Sequence, residues 1–505
     1  MITTGQANSF YGQEAGAGNT TGGNNTVFGY KALFGASSST ANVAIGDYCL
    51  KSNIGGNYNS VLGSSAMEYN TTGYSNAAFG YLSLRRNTTG SHNLALGPLA
   101  LQENTTGNTN IAVGFGAAQN NTTGYYNMAI GFESGFTNTT GIQNLFIGYE
   151  AGHSNISANN NAFVGFQSGY ANTTGTSNTS LGYQAAYGNT TGNYNTVLGT
   201  QAMQSASTGS NNTVIGYQAG KVIDAGASNT YIGYSSGFNH TSGANNVGIG
   251  QEALRANTVA WGNTALGYRA AYTTTGQSNV AIGDSALYAN TTGSNNVALG
   301  YRAGITNTTG ATNTFIGATA DASAAALFNS AAIGFGATVN ASNKIRLGNA
   351  SVTIVETQGS FVTVSDRRLK TNINDNFIGL NFIKAIRPVH YELKAQKGLI
   401  YDGFIAQEID SILQKQGITN FSGLVKPQNT EGGYYTVSYA TFVVPLVNAI
   451  KELDAKSDAL SQENAALKAE LDKIKRDNAS LKVSVEKNNQ DIEVIKAALA
   501  KKNNQ

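Results

Sequence analysis

Ser365 and Lys370 stand five residues apart. A serine hydroxyl is a poor nucleophile until a nearby base takes its proton. A lysine can be that base only when burial or neighbouring positive charge favours its neutral form. Arg367 and Arg368 put like charge between the two. By itself the pair says little, because serine and lysine meet in many basic turns without catalysis. Elsewhere reactive side chains are sparse. His92, His153, His240 and His390 are far apart and Cys49 is the single cysteine, so neither a metal constellation nor an internal disulfide is expected. No lysine follows a G-x-x-x-x-G run, which argues against a phosphate loop. The first 364 residues hold only eleven acids, too few to suggest the paired carboxylates of glycoside hydrolysis. No cofactor is expected.

The elements that must position Ser365 and Lys370 come from a chain of two chemistries. Of 58 charged residues, 37 fall in the last 141 and 21 in the first 364. Overall, charged residues are 11% and the net charge is +2, which supplies no field for nucleic acid or an acidic membrane surface. No apolar run approaches 18 residues, so membrane insertion is not expected. The first five residues show neither the charged nor the apolar part of a Sec signal peptide, which points to another route of export, such as lysis.

The first part is a repeat. A glycine follows a large apolar residue at 12, 29, 46 and then every 17 residues to Gly267. The next step, to Gly283, is 16, and steps of 17 resume to Gly334 before Gly348 closes the series after 14. The residue three after each glycine is small, as in Ala32, Cys49, Ala66 and Ser83. Asn-Thr-Thr-Gly recurs from 70–73 to 307–310, and asparagine and glycine suit turns that need positive φ. Seventeen residues are too few for a helix pair or a propeller blade. They fit one coil of a parallel β-solenoid with two short strands and two tight turns, about 20 coils in all and roughly 95 Å long at ~4.8 Å per coil. A calcium-binding β-roll is excluded by the scarcity of acids. The small residues suit either a narrow interior or close approach of three coils. An aromatic often follows the anchor glycine, as at Phe115, Phe132, Tyr149, Phe166 and Tyr183. A stacked structural stripe explains this better than a ladder of sugar sites, since a sugar site is usually one irregular place.

The unit Asn42-Val-Ala-Ile-Gly46, repeated as Asn279-Val-Ala-Ile-Gly283, resembles the head repeats of trimeric autotransporter adhesins. The resemblance implies a parallel β-roll that assembles as a trimer, although the period here is longer than that family's.

The second part carries four motifs in order. They are Ser365-Asp-Arg-Arg-Leu-Lys370, Ile386-Arg-Pro-Val-His-Tyr391, Gly403-Phe-Ile-Ala-Gln-Glu408, and Tyr435-Thr-Val-Ser-Tyr439 with Val444-Pro-Leu-Val-Asn-Ala-Ile-Lys-Glu-Leu453. Together they resemble the peptidase S74 domain, the intramolecular chaperone of phage endosialidases and tail fibres. That resemblance implies a self-cleaving serine peptidase with Ser365 as nucleophile, Lys370 as general base and Val364–Ser365 as the scissile bond. Asp366, Arg368, His390, Gln407 and Glu408 are candidate accessory residues; His390 is more often a packed or solvated residue than a proton carrier.

From Ile450 a heptad seam runs through Leu453, Leu460, Leu467, Leu471, Ile474, Leu481, Val485, Ile492, Ile495 and Leu499, interrupted by Asn464, Asn478 and Asn488. This predicts a coiled coil, and buried asparagines in such a seam fix register and oligomer number. The expected organisation is a fibre over 1–350, a linker over 351–364, the chaperone over 365–449 and a coiled coil over 450–501. The expected function is that of a homotrimeric virion tail fibre that binds a host-surface receptor, with a glycan as one candidate. Another fibre or baseplate protein is an expected partner at its N-terminus. The alternative is a non-cleaving bacterial surface adhesin or stalk with a permanent clamp.

Overall fold

A computed structural model describes residues 5–352, 354–359, 363–394, 396–427 and 434–503, without the side chain of Gln396. Phe361 and Val362, in the expected linker, lie outside the described residues. The chain divides into Met1–Glu356 and Thr357–Gln505.

The first unit is a parallel β-solenoid. Its main sheet has 21 strands, of three residues each, and each pairs in parallel with the strand one coil away, as Met128↔Leu145 and Ile130↔Ile147 do. Most coils contain one strand rather than two, and turns form the rest. Among the described residues of the rod a second strand forms where Asp321–Ala322 pairs with Thr338–Val339, and a single parallel bridge joins Ala227 to Ala244. The reason is visible in the turns. Each coil places non-glycine residues in the left-handed region, such as Leu50, Tyr58 and Ser65, and this breaks the extended backbone that a second strand needs.

From the strand Thr26–Phe28 to the strand Ala331–Ile333 the middle residue of each three-residue strand points inward, as in Ala44, Val61 and Ala78, whereas Arg346 in the last strand is exposed. The small residues three after the anchors from Gly29 to Gly334, including Ala32, Cys49, Ala66 and Ser83, have no exposed surface. They fill a narrow interior within one chain. Burial in this apolar setting pushes the Cys49 thiol above its ordinary range. Packing is also compensated along the repeat. Where the inward strand residue is Ala or Val, the fourth residue after the anchor is often large, as in Leu50, Met67 and Leu84. Where it is Phe146, Phe163, Tyr231 or Phe315, the facing residue is Gly152, Gly169, Gly237 or Gly304, and a Cβ there would lie 2.4–2.7 Å from the ring. Close packing requires this exchange of volume.

Two rows of buried asparagine run along the rod. In one, Asn76 Nδ2 donates to Asn59 Oδ1 at 3.1 Å and to the Gly90 carbonyl at 2.9 Å. In the other, Asn104 Nδ2 donates to Asn87 Oδ1 at 2.8 Å and to the Gly107 carbonyl at 3.0 Å. Buried amides are tolerated because the adjacent coils supply their partners. The second row corrects the turn argument. The asparagine and glycine of Asn-Thr-Thr-Gly, such as Asn104 and Gly107, are not among the positive-φ residues. Asparagine is there for the row. Glycine is there because a Cβ on Gly107 would lie 2.3 Å from both Asn104 Oδ1 and the Gly124 carbonyl oxygen.

The second unit packs a small core on three helices, α1 (Leu380–Ala385), α2 (Ala406–Lys415) and α3 (Val443–Lys502). Phe382, Ile409, Leu413 and Phe442 are buried at its centre. An antiparallel hairpin pairs Val389–Leu393 with Gln396–Gly403. Asn448, near the start of α3, donates to the Asn376 carbonyl at 2.6 Å and to that of Ile378 at 3.1 Å. The helix then continues alone. Its apolar seam is exposed in one chain, with Leu460 at 59% and Leu467 at 56%. Among the described residues no helix is long and apolar enough to cross a membrane.

Candidate functional site

Ser365 and Lys370 flank one tight turn. Arg367–Leu369 form a single 3-10 turn, started by Asp366, whose carboxylate accepts from the Arg368 backbone N–H at 2.8 Å. The Arg368 side chain closes on the same carboxylate, with Nη2 at 2.6 Å from Oδ2 and Nε at 3.1 Å from Oδ1. This guanidinium holds the Asp366 carboxyl below the usual carboxylate range. Lys370 N–H bonds the Arg367 carbonyl at 3.1 Å, ending the turn. The result brings Lys370 Nζ to 2.6 Å from Ser365 Oγ. That is hydrogen-bond reach for proton transfer from a nucleophile to a base. Val364, Ser365 and Lys370 are all exposed in one chain.

The other candidate residues bond elsewhere. His390 pairs with Asp402 across the hairpin, and both side chains are open to solvent. Glu408, in the first turn of α2, pairs with Arg387, whose Nε lies 3.1 Å from Oε2, and this cation holds the Glu408 carboxyl below its ordinary range. Gln407 is exposed, and its carbonyl accepts from Ser411 Oγ at 3.0 Å. Thus Asp366 and Arg368 shape the turn that joins Ser365 to Lys370, whereas His390 and Glu408 tie the unit together. Arg387–Glu408 joins the second and third sequence motifs. Gly403 joins the third to the fourth, since a Cβ there would collide with the Tyr439 hydroxyl.

Two pairs were not foreseen. Asp410 is buried on α2 and ion-pairs with Lys426 at 2.6 Å, which keeps its carboxyl below the ordinary range. Asp402 has no motif to mark it as the partner of His390. Only the paired register of the hairpin reveals it.

On the rod, the rings at Phe115, Phe132, Tyr149, Phe166 and Tyr183 stack 5.0–5.4 Å apart and nearly parallel. Their faces are occupied by one another. A second row, Phe136, His153, Tyr170 and Tyr187, stacks at 5.0–5.1 Å. Among the described residues no cluster of three His, Cys, Asp or Glu is arranged to hold a metal.

Residues 365–418 match the family described as chaperone of endosialidase, peptidase S74. The matched segment starts at Ser365 and includes the turn to Lys370, the hairpin and α2. No curated protein matches the chain. Over residues 365–418 the second unit is therefore similar to the S74 intramolecular-chaperone family, in a chain whose first unit is a β-solenoid of repeats.

Proposed function

We propose that this chain forms a homotrimeric fibre of a phage tail or a similar extracellular appendage, and that its C-terminal unit starts the trimer and then cuts itself away at Val364–Ser365. The observation that carries the reading is the 2.6 Å approach of Lys370 Nζ to Ser365 Oγ in a segment that begins at the scissile position and matches an intramolecular-chaperone family.

Near-identical coils make register the central folding problem. A slip of one coil exchanges one 17-residue unit for a similar one and is opposed only weakly. The apolar seam of α3, half-exposed in one chain, gives three chains a common starting register. Removal of the chaperone afterwards leaves an assembly held by its kinetics of unfolding.

For the cut, neutral Lys370 Nζ accepts the Ser365 Oγ proton. The oxygen adds to the Val364 carbonyl carbon, and the C–N bond breaks as Lys370 passes the proton on to the departing nitrogen, leaving an ester on Oγ and a free amine on Ser365. Water then hydrolyses the ester, giving a Val364 carboxylate. Removal from water favours a neutral lysine. Both groups are exposed in one chain, so the covering surface is assigned to the neighbouring subunits, which makes cleavage a report of trimer formation. The mature fibre then binds a host or cell surface.

Lys370→Met keeps an unbranched side chain one atom shorter and removes the base. Light scattering and denaturing gels of wild type and this variant test the reading. Trimers of both, with two polypeptides only in wild type, support it. Two polypeptides in both would remove Lys370 from the mechanism. A wild-type trimer of uncut chains would move the permanent-clamp adhesin or stalk ahead.

A further inference from the structure

The row of rings that follows the anchor glycines lacks a rung at several coils, among them Thr200, Gln251 and Asp284, and the gap at Asp284 lies beside the 16-residue step of the repeat. At three successive coils the row reads Tyr268, Asp284 and Tyr301, and their strands are in register, Thr264 with Val280 and Val280 with Val297. Tyr268 lies on the single 16-residue coil between Gly12 and Gly334. Two coils at ~4.8 Å place the Tyr268 and Tyr301 rings about 10 Å apart, roughly twice a stacking distance. A cleft of about 250 Å³ opens here, lined by Tyr268, Arg269, Ser285, Tyr288, Tyr301, Arg302 and Ile305. It is smaller than the ~300 Å³ at which drug-sized sites begin, and suits one ring.

The walls and rim differ in chemistry. Tyr268 is 40% exposed and Tyr301 51%. The Arg269 guanidinium lies 5.0 Å from the Tyr268 ring centroid and that of Arg302 6.0 Å from the Tyr301 centroid. Arg269 is engaged by Glu252 at 2.6 Å, whereas Arg302 is exposed at the rim. Ser285 Oγ bonds Asp284 Oδ1 at 2.6 Å, leaving the exposed carboxylate further acceptor positions. Two aromatic walls with a guanidinium and a hydroxyl between them, and the Asp284 carboxylate bonded to that hydroxyl beside the cleft, match a pyranose, which offers C–H faces and a rim of hydroxyls. A similar gap at Thr200, between Tyr183 and Tyr217, lacks this rim. There Gln218 donates to Gln201 at 2.8 Å and Gln204 to Gln184 at 2.7 Å, so the amides serve one another.

We infer that the cleft between Tyr268 and Tyr301 is a carbohydrate site that takes one pyranose ring in place of the missing aromatic rung. This deepens the surface-binding part of the proposed function and rests on it. The test is saturation-transfer NMR on the full chain with methyl pyranosides of neutral hexoses, N-acetylhexosamines and hexuronic acids, and with p-cresol as an aromatic probe. Transfer to at least one pyranoside is expected, lost in Tyr301→Ala and in Asp284→Tyr and kept in Thr200→Tyr. Asp284→Tyr supplies the ring found at most other coils, and an unchanged circular dichroism spectrum verifies that the rod is intact. The inference is overturned by no transfer to any pyranoside, by transfer to p-cresol alone, by transfer that survives Asp284→Tyr, or by equal loss in Thr200→Tyr. Chain masses and trimer mass from the same samples separate a failure of this site from a failure of the maturation scheme.

Discussion

The rod and the terminal helix solve burial in opposite ways. The rod hides polar groups and satisfies them within one chain. Asn104 is wholly buried, yet it donates to Asn87 and Gly107 and accepts from Asn121. The helix leaves apolar groups in water, with Leu467, Leu471 and Ile474 about half exposed. The rod is thus locally self-sufficient but nearly degenerate in register. On the proposed trimeric reading the helix has a distinct register, written by Asn464, Asn478 and Asn488, and finds its partners in the other two chains. Each supplies what the other lacks, and this is a physical reason for joining them in one chain.

The largest expected effect comes from breaking coil stacking. Gly148 has φ +136°, and a Cβ there would lie 2.3 Å from the Gly165 carbonyl oxygen. Gly148→Val should open the rod on both sides of that coil and expose it to protease, while the helical signal of the second unit persists. Circular dichroism and limited proteolysis read both. Next, Leu467→Asp with Ile474→Asp should leave a monomer by light scattering, since charge is placed in the seam. An unchanged trimer would show that the seam is not the interface.

A smaller effect is expected from Asn104→Ala. It orphans partners in three coils and should cost about 2–3 kcal/mol, read as a lower denaturant midpoint of the rod. Thr105→Val, which removes a partly buried bond to the Thr122 carbonyl at 3.0 Å, should cost about 0.5–1 kcal/mol. An effect of similar size and opposite sign is expected at His240, which takes an asparagine place in the same row and lies 2.7 Å from the Gly243 carbonyl. Burial holds its pKa below the ordinary imidazole value. The unfolded chain therefore binds the proton more readily, and the stability it contributes is lost as pH falls from about 6.5 through the folded pKa. His240→Asn should remove that acid sensitivity and stabilise the rod by about 1 kcal/mol. Hydrogen exchange near residue 240 at pH 7 and pH 5 measures it.

Much of the rod was legible because its period is a direct consequence of stacking. Gly46 and Gly63 recur because one backbone lies on the next, and the inward small residues because the interior is narrow. The single strand per coil was not legible, since β-branched and asparagine-rich stretches read alike whether they pair or turn. Nor was the role of asparagine. Its partners lie 17 residues away, so local turn chemistry was the nearer and incomplete explanation. The turn from Ser365 to Lys370 was visible as a spacing. The clamp of Arg368 on Asp366 that shapes it, and the remote bonding of His390 and Glu408, depend on side-chain geometry that spacing does not carry.

The central claim is that the second unit releases itself at Val364–Ser365. Intact mass and N-terminal sequencing of wild type and Ser365→Ala, each expressed as the full chain, test it directly. The account predicts a 364-residue piece and a 141-residue piece beginning at Ser365 in wild type, and one 505-residue chain in the variant. A wild-type sample that holds only the uncut 52.5 kDa chain in a fully formed trimer would contradict it.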